Sequence, residues 1–384
     1  GIRDVERSRG LGDVYKRQIL CPPPTFPFTN FSRFKSIIKF EKIDDMNIIR
    51  ILTYQPRNLN PKFIERILYY LVFPIICCLI VICLLAVKRI HYILTSTPPL
   101  TTILPGLLCR SFGLKWILDV RDLWLYASIG LGYVKRDSLL FKLAQKFETI
   151  SFIKSNIILI NSPSIGDYIK IELPKHEWDK IFFVPFSVDT SLFKPMNSPR
   201  KKEIIIYVGN FGSAQSLETI IRAMPEVSKF FPKIKLILIG KGEEEIKLKK
   251  LRDKLDLKNV IFMDPVPRSK IPELLSQALI GLVPLKDDKS LKYARPTKLY
   301  EYLSCGLPVI AYGSSLEVKR IIKESGAGIY VNGNNPTDIA KATITLISNP
   351  KLLKKMSYNA RKYIVQNYDS KLISKRLLNI LSSI

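Results

Sequence analysis

Residues 294–310 read Ala294-Arg-Pro-Thr-Lys-Leu-Tyr-Glu-Tyr-Leu-Ser-Cys-Gly-Leu-Pro-Val-Ile310, and this segment carries the clearest local pattern in the chain. It predicts a loop, a helix, a tight turn and a buried strand. Pro296 suits the first helical position, where an N–H is not needed. Gly306 and then Pro308 predict the end of the helix. Three apolar residues share one helical face: Leu299, Tyr302 and Leu303. The run from Val309 to Ala311 suits a central parallel strand.

Two charged side chains lie near the start of this predicted helix. Lys298 and Glu301 are three residues apart, so they share one face. The free N–H groups and the dipole at a helix N-terminus attract phosphate. A lysine there adds positive charge for a diphosphate, and a carboxylate one turn later can accept hydrogen bonds from sugar hydroxyls. The alternative is an ordinary solvated ion pair on a helix surface.

The segment from Pro296 to Ile310 resembles the nucleotide-binding segment of GT-B glycosyltransferases of family 4. The resemblance is to the branch that builds surface polysaccharides and lipid-linked sugars. It implies that Glu301 holds the ribose hydroxyls of a nucleotide-sugar donor. Many members carry a second glutamate where this chain has Tyr293. The carboxylate contact to the donor sugar in such members therefore has no counterpart at this position.

Length and charge limit the classes of protein that fit. A chain of 384 residues with 47% hydrophobic content is too long for one ordinary domain and fits two. The net charge of +27 implies an anionic partner, which could be nucleic acid, an acidic membrane surface or a phosphorylated substrate. The lysines are spread along the chain, and no RNA- or DNA-binding signature accompanies them. We therefore expect no nucleic-acid partner.

Cysteine and histidine usage predicts no metal site and no cofactor. The six cysteines are scattered without metal-ligand spacing, which suits a reducing cytosol. His91 and His176 are the only histidines, too few to support a histidine metal site or a hydrolytic triad.

The N-terminal segment has an unusual pattern. Residues 1–18 show no helix or strand periodicity and lack the apolar centre of a signal peptide, so we interpret them as a non-native or disordered leader. The segment that begins at Ile19 resembles the second strand of the family's N-terminal domain. The resemblance implies that the first strand, its glycine-rich turn and the first helix are absent.

The run from Leu68 to Val87 is uncharged and lies between Arg66 and Lys88-Arg89. About 20 apolar residues are enough to cross a bilayer, but a crossing here would divide one sheet between two sides of the membrane. The alternatives are a helix that covers the sheet and an apolar helix in the membrane interface. We expect a shared role as core and interface helix on an anionic membrane. The predicted location is therefore the cytoplasm, peripheral on the inner face of the cytoplasmic membrane.

A candidate catalytic segment follows the strand predicted for Lys115 to Val120. The hexapeptide Asp119-Val-Arg-Asp-Leu-Trp124 resembles the family at the interdomain cleft of the N-terminal domain. Many relatives have a histidine–aspartate pair where this chain has Arg121 and Asp122. We predict that these two residues and Lys298 are catalytic, because an arginine can hold a phosphate or acceptor oxygen with two hydrogen bonds. A structural ion pair between Arg121 and Asp119 or Asp122 is the alternative.

A glycine-rich turn follows the buried strand predicted for Glu203 to Val208. Gly209-Asn210-Phe211-Gly212 comes next, and Ser213 is expected to cap a helix. The apolar residues of that helix keep a 3.6-residue period: Leu217, Ile220, Ile221, Met224 and Val227. A strand, a glycine turn and a helix together form an arrangement that cradles phosphate with backbone N–H groups.

The resemblance extends to the remaining donor-site residues. Family members often have an arginine–lysine pair in the glycine turn, which this chain lacks, so we expect Lys298 and Arg295 to supply the charge. Gln215 fits the Gly-Asn-x-Gly…Gln pattern of a similar branch, and the loop from Asp264 to Arg268 implies a main-chain contact from Val266 to the base. The full predicted set is Gly209, Asn210, Phe211, Gly212, Gln215, Val266, Tyr293, Ala294, Arg295, Thr297, Lys298 and Glu301.

Strands alternate with helices along the whole chain, which predicts an α/β fold with parallel sheets. The resemblance implies two doubly wound Rossmann-like domains that face a cleft. We predict an acceptor-binding domain over 19–195, a nucleotide-sugar-binding domain over 196–365 and a last helix over 366–384 that crosses back to the first domain. Ile90 to Leu94 is predicted as a strand, with Thr95 to Pro99 as a ligand loop at its end.

The predicted function is sugar transfer from a nucleotide diphospho-sugar, most simply a UDP-sugar, to a lipid-linked or polysaccharide acceptor. The resemblance implies retention of the anomeric configuration. Two other classes stay open: an enzyme like UDP-GlcNAc 2-epimerase, for which a histidine-rich site would be expected, and an inactive membrane-associated binding or scaffold protein, which Tyr293 favours.

Overall fold

A computed structural model describes residues 18–23, 36–43, 46–55, 63–86, 91–130, 134–196 and 203–382. The chain forms two compact units. One comprises Gly1–Pro185 together with Ser374–Ile384, and the other comprises Phe186–Ile373. Of the predicted leader over residues 1–18, only Gln18 is described, and it begins a strand rather than a disordered segment. The predicted absence of a first strand, glycine-rich turn and helix lies outside the described residues.

The described residues of the first unit form two sheets. Strands β1 (Gln18–Cys21), β2 (Ile38–Ile43) and β3 (Met46–Ile51) form a sheet of order β1-β3-β2, in which β1 is parallel and β2 antiparallel to β3. A second, fully parallel sheet has the order β4-β5-β6-β7. Its strands are β4 (Tyr92–Thr97), β5 (Lys115–Val120), β6 (Ile157–Ile160) and β7 (Ile181–Phe183).

Strand β4 ends later than predicted. Ser96 and Thr97, which were predicted in a loop, pair in register with Asp119 and Val120 of β5. The indole Nε1–H of Trp116 donates a hydrogen bond of 2.9 Å to Thr95 Oγ1, which fixes this part of the strand. The apolar pattern of β4 ends at Leu94, but pairing with β5 continues to Thr97. The β-branched threonines Thr95 and Thr97 suit this extended backbone.

Helices of the first unit are α1 (Phe63–Ala86), α2 (Ile103–Ser111), α3 (Trp124–Gly130), α4 (Leu139–Lys154) and α5 (Pro163–Glu172). Cys77 and Val81 of α1 are buried, and Cys77 packs with Ile49 and Ile51 of β3. The opposite side of α1 is exposed and apolar along a single stripe: Leu68, Leu71, Ile75, Leu79 and Ile82. The stretch Leu68–Ala86 is long and apolar enough to cross a membrane by length and composition, and most of it is not buried in the protein.

The second unit is a doubly wound domain built on one parallel sheet of order β10-β9-β8-β11-β12-β13. Its strands are β8 (Ile204–Val208), β9 (Lys235–Ile239), β10 (Val260–Met263), β11 (Ile280–Pro284), β12 (Val309–Gly313) and β13 (Gly328–Asn332). The direction of strand order reverses between β8 and β11. Ligands of open α/β sheets bind at the carboxyl ends of strands at such a point.

Helices cover both faces of this sheet. They are α6 (Leu217–Phe230), α7 (Glu245–Lys254), α8 (Ile271–Gln277), α9 (Thr297–Ser304), α10 (Leu316–Ser325), α11 (Pro336–Ile347) and α12 (Pro350–Asn367). Alternate residues of a strand pack into the two hydrophobic cores on opposite faces of the sheet. Ile205 and Tyr207 of β8 pack in one cluster, and Ile206 packs in the other. This two-sided burial explains why the strands read as continuous apolar runs.

Both ends of the second unit differ from the predicted bounds. The unit begins at Phe186, ten residues before the predicted start at 196, because Val188 and Phe193 are buried in its core. It ends at Ile373, after the predicted end at 365, because Tyr368 is buried in the same core. Helix α13 (Ser370–Ser382) then leads into the last segment of the first unit, where Ile380 packs with Ile117, Ile157 and Leu159.

Candidate functional site

The glycine turn after β8 is held by close main-chain contacts. Gly209 has φ +153°, and its N–H donates to the Ile239 carbonyl at 2.9 Å. A Cβ built on Gly240 would lie 1.8 Å from the Gly209 carbonyl oxygen, and one built on Gly242 would lie 2.4 Å from the Phe211 carbonyl oxygen. The glycines after β9 therefore allow the two turns to pack main chain against main chain.

Tyr207 joins this turn to the helix of the opening segment. Its buried hydroxyl donates to the Asn210 carbonyl at 2.6 Å and accepts from the Lys298 ammonium at 2.7 Å. Lys298 Nζ also lies 3.9 Å from the centroid of the Tyr207 ring. A Cβ on Gly209 would be 2.9 Å from the same Nζ. The predicted glycine turn and the predicted phosphate-binding lysine are thus adjacent, and Tyr207 is a contact residue that the sequence did not reveal.

The environment of Lys298 lowers the pKa of its ammonium group. Burial lowers the pKa of its ammonium to about 7, and the nearby Glu301 carboxylate opposes that change. A lysine in this state is half-ionised near neutral pH and gains from an anionic ligand that restores its charge.

Helix α9 starts one residue later than predicted. Its first residue is Thr297, whereas Pro296 is the N-cap with extended backbone angles and no capping side-chain hydrogen bond. Proline before the first turn still fits, since no N–H is needed there. The first N–H groups of a helix have no intrahelical acceptors. Thr297 is exposed and Lys298 half-buried in this first turn, so the turn meets solvent beside the glycine turn.

Glu301 is nearly buried and forms an ion pair. Its Oε1 accepts from Arg268 Nη2 at 2.5 Å, and the Arg268 guanidinium lies 4.9 Å from the Phe193 ring centroid. Arg268 comes from the turn after β10, next to Val266, which is half-buried and packs on the core. The sequence marked this loop but not Arg268, which reads there as one more surface cation.

Arg295 has a different role from the predicted one. Its side chain is 1% exposed, pairs with Glu317 at 3.2 Å and donates to the Tyr300 hydroxyl. Its guanidinium carbon also lies 5.5 Å from the Phe186 ring centroid. Such a buried ion pair fixes structure. The phosphate-binding charge predicted for Arg295 is corrected to a packing role, because the guanidinium is buried and already paired with Glu317.

The remaining predicted donor-site residues occupy four kinds of position. Phe211 is fully buried, with its ring 6.1 Å from Tyr207 and 6.0 Å from Phe262, so only its main chain can face a ligand. Gly212 and Gln215 lie at a short 3-10 turn, Ser213–Gln215. The predicted cap at Ser213 is wrong. Helix α6 begins at Leu217 after Ser216, whose φ is 45°. Asn210 is exposed, while Tyr293 and Ala294 are half-buried before α9.

The first unit has its own polar cluster at the carboxyl end of β5. Asp119 Oδ2 accepts from Arg121 Nε at 2.6 Å and from the Ser96 hydroxyl at 3.0 Å. Asn161 Nδ2 donates to the Arg121 carbonyl at 2.6 Å. Arg121 therefore forms the ion pair that the sequence left as an alternative. Burial raises the pKa of the Asp122 carboxyl, and a hydrogen bond from the Leu123 main chain opposes the rise.

No group of three or more His, Cys, Asp or Glu side chains that could hold a metal ion occurs among the described residues.

The second unit is similar to known glycosyltransferases. Residues 188–363 match the family model described as Glycosyl transferases group 1. An uncharacterized glycosyltransferase of Haemophilus influenzae is 27% identical over 170 residues, which are 44% of this chain and 46% of that protein. The putative colanic acid biosynthesis glycosyl transferase WcaI of Escherichia coli is 24% identical over 289 residues, or 72% of this chain and 70% of that protein. This chain therefore spans less than half of one relative and about two thirds of the other.

A solved structure agrees with the fold. Anabaena HepE in complex with UDP and glucose superposes with a TM-score of 0.66 over 89% of this chain and 87% of that chain, at 13% identity. The protein thus has two Rossmann-like domains of the GT-B type. Residues 188–363 of its second unit match the group 1 glycosyltransferase model, and the relatives to which the chain is similar are named as glycosyltransferases.

Proposed function

We propose that this protein is a retaining glycosyltransferase that moves a sugar from a UDP-sugar to a lipid-linked or polysaccharide acceptor. One observation carries the proposal. The Lys298 ammonium lies against Tyr207 beside the glycine turn, and Glu301 lies one turn along the same helix. A diphosphate bound over this turn would contact the Lys298 ammonium and the N-terminus of α9. The ribose of the same nucleotide would contact the Glu301 carboxylate.

The chemistry follows from the charge that develops during transfer. The bond between the anomeric carbon and the diphosphate breaks, and the diphosphate leaves with the electron pair. An acceptor hydroxyl oxygen forms the new bond to the anomeric carbon and gives its proton to an oxygen of the departing diphosphate. Lys298 and the first turn of α9 would stabilise the departing diphosphate. In the first unit, Arg121 would hold an acceptor oxygen or phosphate, and Asp122 would act with it as the predicted catalytic pair. Retention rests on the family resemblance.

The relatives support the choice of substrates. HepE was solved with UDP and glucose, which supports a uridine donor. WcaI is named for colanic acid biosynthesis, which supports a polysaccharide acceptor. The epimerase and scaffold alternatives are not favoured, because the matches are to glycosyltransferases.

The proposed function is tested by UDP release from UDP-glucose, UDP-galactose and UDP-GlcNAc, with and without a polyprenyl-phosphate-linked sugar. Release that needs the acceptor supports transfer. Loss of UDP-GlcNAc without an acceptor would mean an epimerase. No turnover with any donor would favour the inactive binding or scaffold protein. Glu301→Ala should abolish donor binding, and Glu273→Ala is the matched control, an exposed carboxylate on α8. Unchanged UDP affinity in Glu301→Ala would remove the site assignment.

We also propose that the apolar stripe on α1 rests on the anionic inner surface of the cytoplasmic membrane. The stripe from Leu68 to Ile82 runs roughly 20 Å along the helix. Ile75 and Leu79 near its middle are 52% and 59% exposed. A helix whose other side packs on β3 can lie in the interface without leaving its sheet. The net charge of +27 suits an acidic leaflet.

Vesicle binding tests this membrane proposal. The double variant Ile75→Lys with Leu79→Lys should lose sedimentation with vesicles of phosphatidylcholine and phosphatidylglycerol. Ile246→Lys, which changes a 71% exposed isoleucine of the second unit, is the control and should bind like the parent protein. Equal binding of both variants would show that the stripe is not the contact.

A further inference from the structure

Arg268 holds the carboxylate that the proposed donor site depends on. Its Nη2 donates to Glu301 Oε1 at 2.5 Å, and its guanidinium lies 4.9 Å from the centroid of the buried Phe193 ring. The two residues come from distant parts of the chain: Arg268 from the turn after β10 and Glu301 from α9. This contact therefore joins the loop expected to meet the base to the helix expected to meet the ribose and the diphosphate.

We propose that Arg268 is a positioning residue for nucleoside recognition. It orients Glu301 toward the ribose hydroxyls of the bound nucleoside diphosphate and keeps that carboxylate from neutralising Lys298. The inference rests on the proposed function, because it assumes that Glu301 contacts the ribose.

Competition for one carboxylate is the first reason. Lys298 and Glu301 are three residues apart on α9, a spacing at which a lysine and a glutamate commonly pair. A carboxylate held by Lys298 would cancel the charge that a diphosphate needs. In the structure the Lys298 ammonium instead contacts the Tyr207 hydroxyl at 2.7 Å, and Glu301 contacts Arg268. Lys298 and Arg268 thus contact different partners, and the Lys298 ammonium lies beside the glycine turn.

The chemistry of the arginine is the second reason. A guanidinium stays charged across the physiological range and presents a planar set of donors. Stacking on the Phe193 ring fixes its plane. One of its nitrogens engages one oxygen of Glu301, and an ionised carboxylate can accept about four hydrogen bonds in all. Ribose hydroxyls can therefore donate to Glu301 while Arg268 remains bound to it.

The test measures how strongly binding depends on the ribose hydroxyls. Calorimetry first identifies which of UDP, GDP and ADP binds the full-length protein most tightly. That nucleotide and its 2′,3′-dideoxy counterpart are then titrated into the parent protein, Arg268→Gln, Arg268→Lys and Glu301→Ala. Lys270→Gln is the matched control, an exposed cation in the same turn.

The parent protein should bind the ribonucleotide roughly 10- to 100-fold more tightly than the dideoxy compound, as expected for hydrogen bonds to a charged acceptor. Arg268→Gln should lower ribonucleotide affinity about 10-fold and reduce that preference to about 3-fold or less. Arg268→Lys should restore part of it, and Lys270→Gln should match the parent. A loss of preference cannot come from general destabilisation, because that would weaken both nucleotides equally.

The Glu301→Ala and Arg268→Gln variants separate the role of Arg268 from the proposed donor site. If Glu301→Ala loses the ribose preference and Arg268→Gln keeps it, the role of Arg268 is wrong and the proposed donor site stands. If Glu301→Ala keeps both the affinity and the preference, the donor site itself is wrong, and the role of Arg268 falls with it.

Discussion

The Lys298 ammonium lies 2.7 Å from the Tyr207 hydroxyl and 3.9 Å from the centroid of the Tyr207 ring. The same hydroxyl donates to the Asn210 carbonyl at 2.6 Å. Tyr207 therefore contacts both the Lys298 ammonium and the main chain of the glycine turn. A phenol that donates to a carbonyl has oxygen lone pairs left for the lysine N–H. This geometry holds the half-buried ammonium beside the glycine turn through a neutral hydroxyl and an aromatic ring.

The first prediction concerns pH. Because burial lowers the pKa of Lys298 to about 7, the lysine loses its proton as the pH rises through that value. A UDP-sugar keeps its charge over this range, so its affinity should be highest below pH 7 and fall by up to about tenfold per pH unit above it. Lys298→Arg should bind with little pH dependence, and Lys298→Met should bind roughly 10- to 100-fold more weakly at pH 7. Calorimetry with UDP-glucose at pH 6 to 9 measures this.

Lys289→Met is the control for that series, since it removes an exposed cation shortly before α9. It should reproduce the parent pH profile. A parent profile that is flat or rises with pH would contradict the assignment of Lys298 as the diphosphate cation.

The second prediction tests the tyrosine. Tyr207→Phe keeps the buried ring but removes the acceptor for Lys298 and the donor for Asn210. UDP affinity should fall about 5- to 10-fold, in line with the loss of about 1 kcal/mol for an ordinary hydrogen bond. Tyr312→Phe is the matched control, because that buried hydroxyl donates to the Ser216 carbonyl at 3.1 Å. Equal effects of the two changes would show that the hydroxyl of Tyr207 acts only on the fold.

Parts of this arrangement were predictable from local sequence. The strands Lys115–Val120 and Ile157–Ile160 have the predicted bounds, because continuous apolar runs between polar loops define buried parallel strands. The glycine turn and Lys298 were both predicted as phosphate-binding features. Their proximity follows from the sheet order, which brings the carboxyl ends of β8 and β11 together.

Other parts depend on partners that local sequence does not reveal. Tyr207 lies in the run Ile204–Val208, where an aromatic residue looks like ordinary core. Arg268 looks like a surface cation until the turn after β10 meets α9. Arg295 was given a phosphate role because the glycine turn lacks the arginine–lysine pair that family members often have there, and its buried pair with Glu317 could not be read from the local sequence. In each case a contact from another element sets the role.

The third prediction concerns the close approach of two turns. Gly240→Ala would place a Cβ 1.8 Å from the Gly209 carbonyl oxygen at φ +151°, so the main chain must move. Unfolding free energy should fall by about 2–4 kcal/mol, from backbone strain and overpacking together, and UDP affinity should fall with it. Gly113→Ala is the control at φ +82°, where nothing lies within 4 Å of the new Cβ. It should cost about 1–2 kcal/mol, measured by urea denaturation. A similar loss in both variants would contradict the packing argument.

The fourth prediction separates catalysis from structure in the first unit. Arg121 pairs with Asp119 at 2.6 Å, so either a binding role or a structural role fits the contact. If Arg121 binds the acceptor, Arg121→Gln should lower acceptor-dependent turnover by at least about tenfold. UDP affinity should not change, and Arg121→Lys should recover part of the turnover. A lower melting temperature with unchanged turnover would mean that the ion pair is only structural.

The last prediction concerns stability through Glu148, a buried residue of α4. Burial raises the pKa of its carboxyl to about 7, the Glu172 carboxylate adds to the rise, and a hydrogen bond of 3.0 Å from the Tyr168 hydroxyl opposes it. The unfolded chain releases this proton near pH 4.5. Between these two values the folded protein binds more protons, so its stability should decrease as the pH rises toward 7 and stay reduced above it.

Glu148→Gln imitates the protonated form at every pH. At pH 8 it should therefore raise the unfolding free energy by on the order of 2 kcal/mol over the parent, and at pH 5 the two proteins should differ little. Asp137→Asn removes an exposed carboxylate of the same unit and should change neither value. Thermal unfolding at both pH values measures the difference. An equal loss of stability at pH 5 and pH 8 in Glu148→Gln would mean that the carboxylate is needed for packing, and that its ionisation does not destabilise the folded unit.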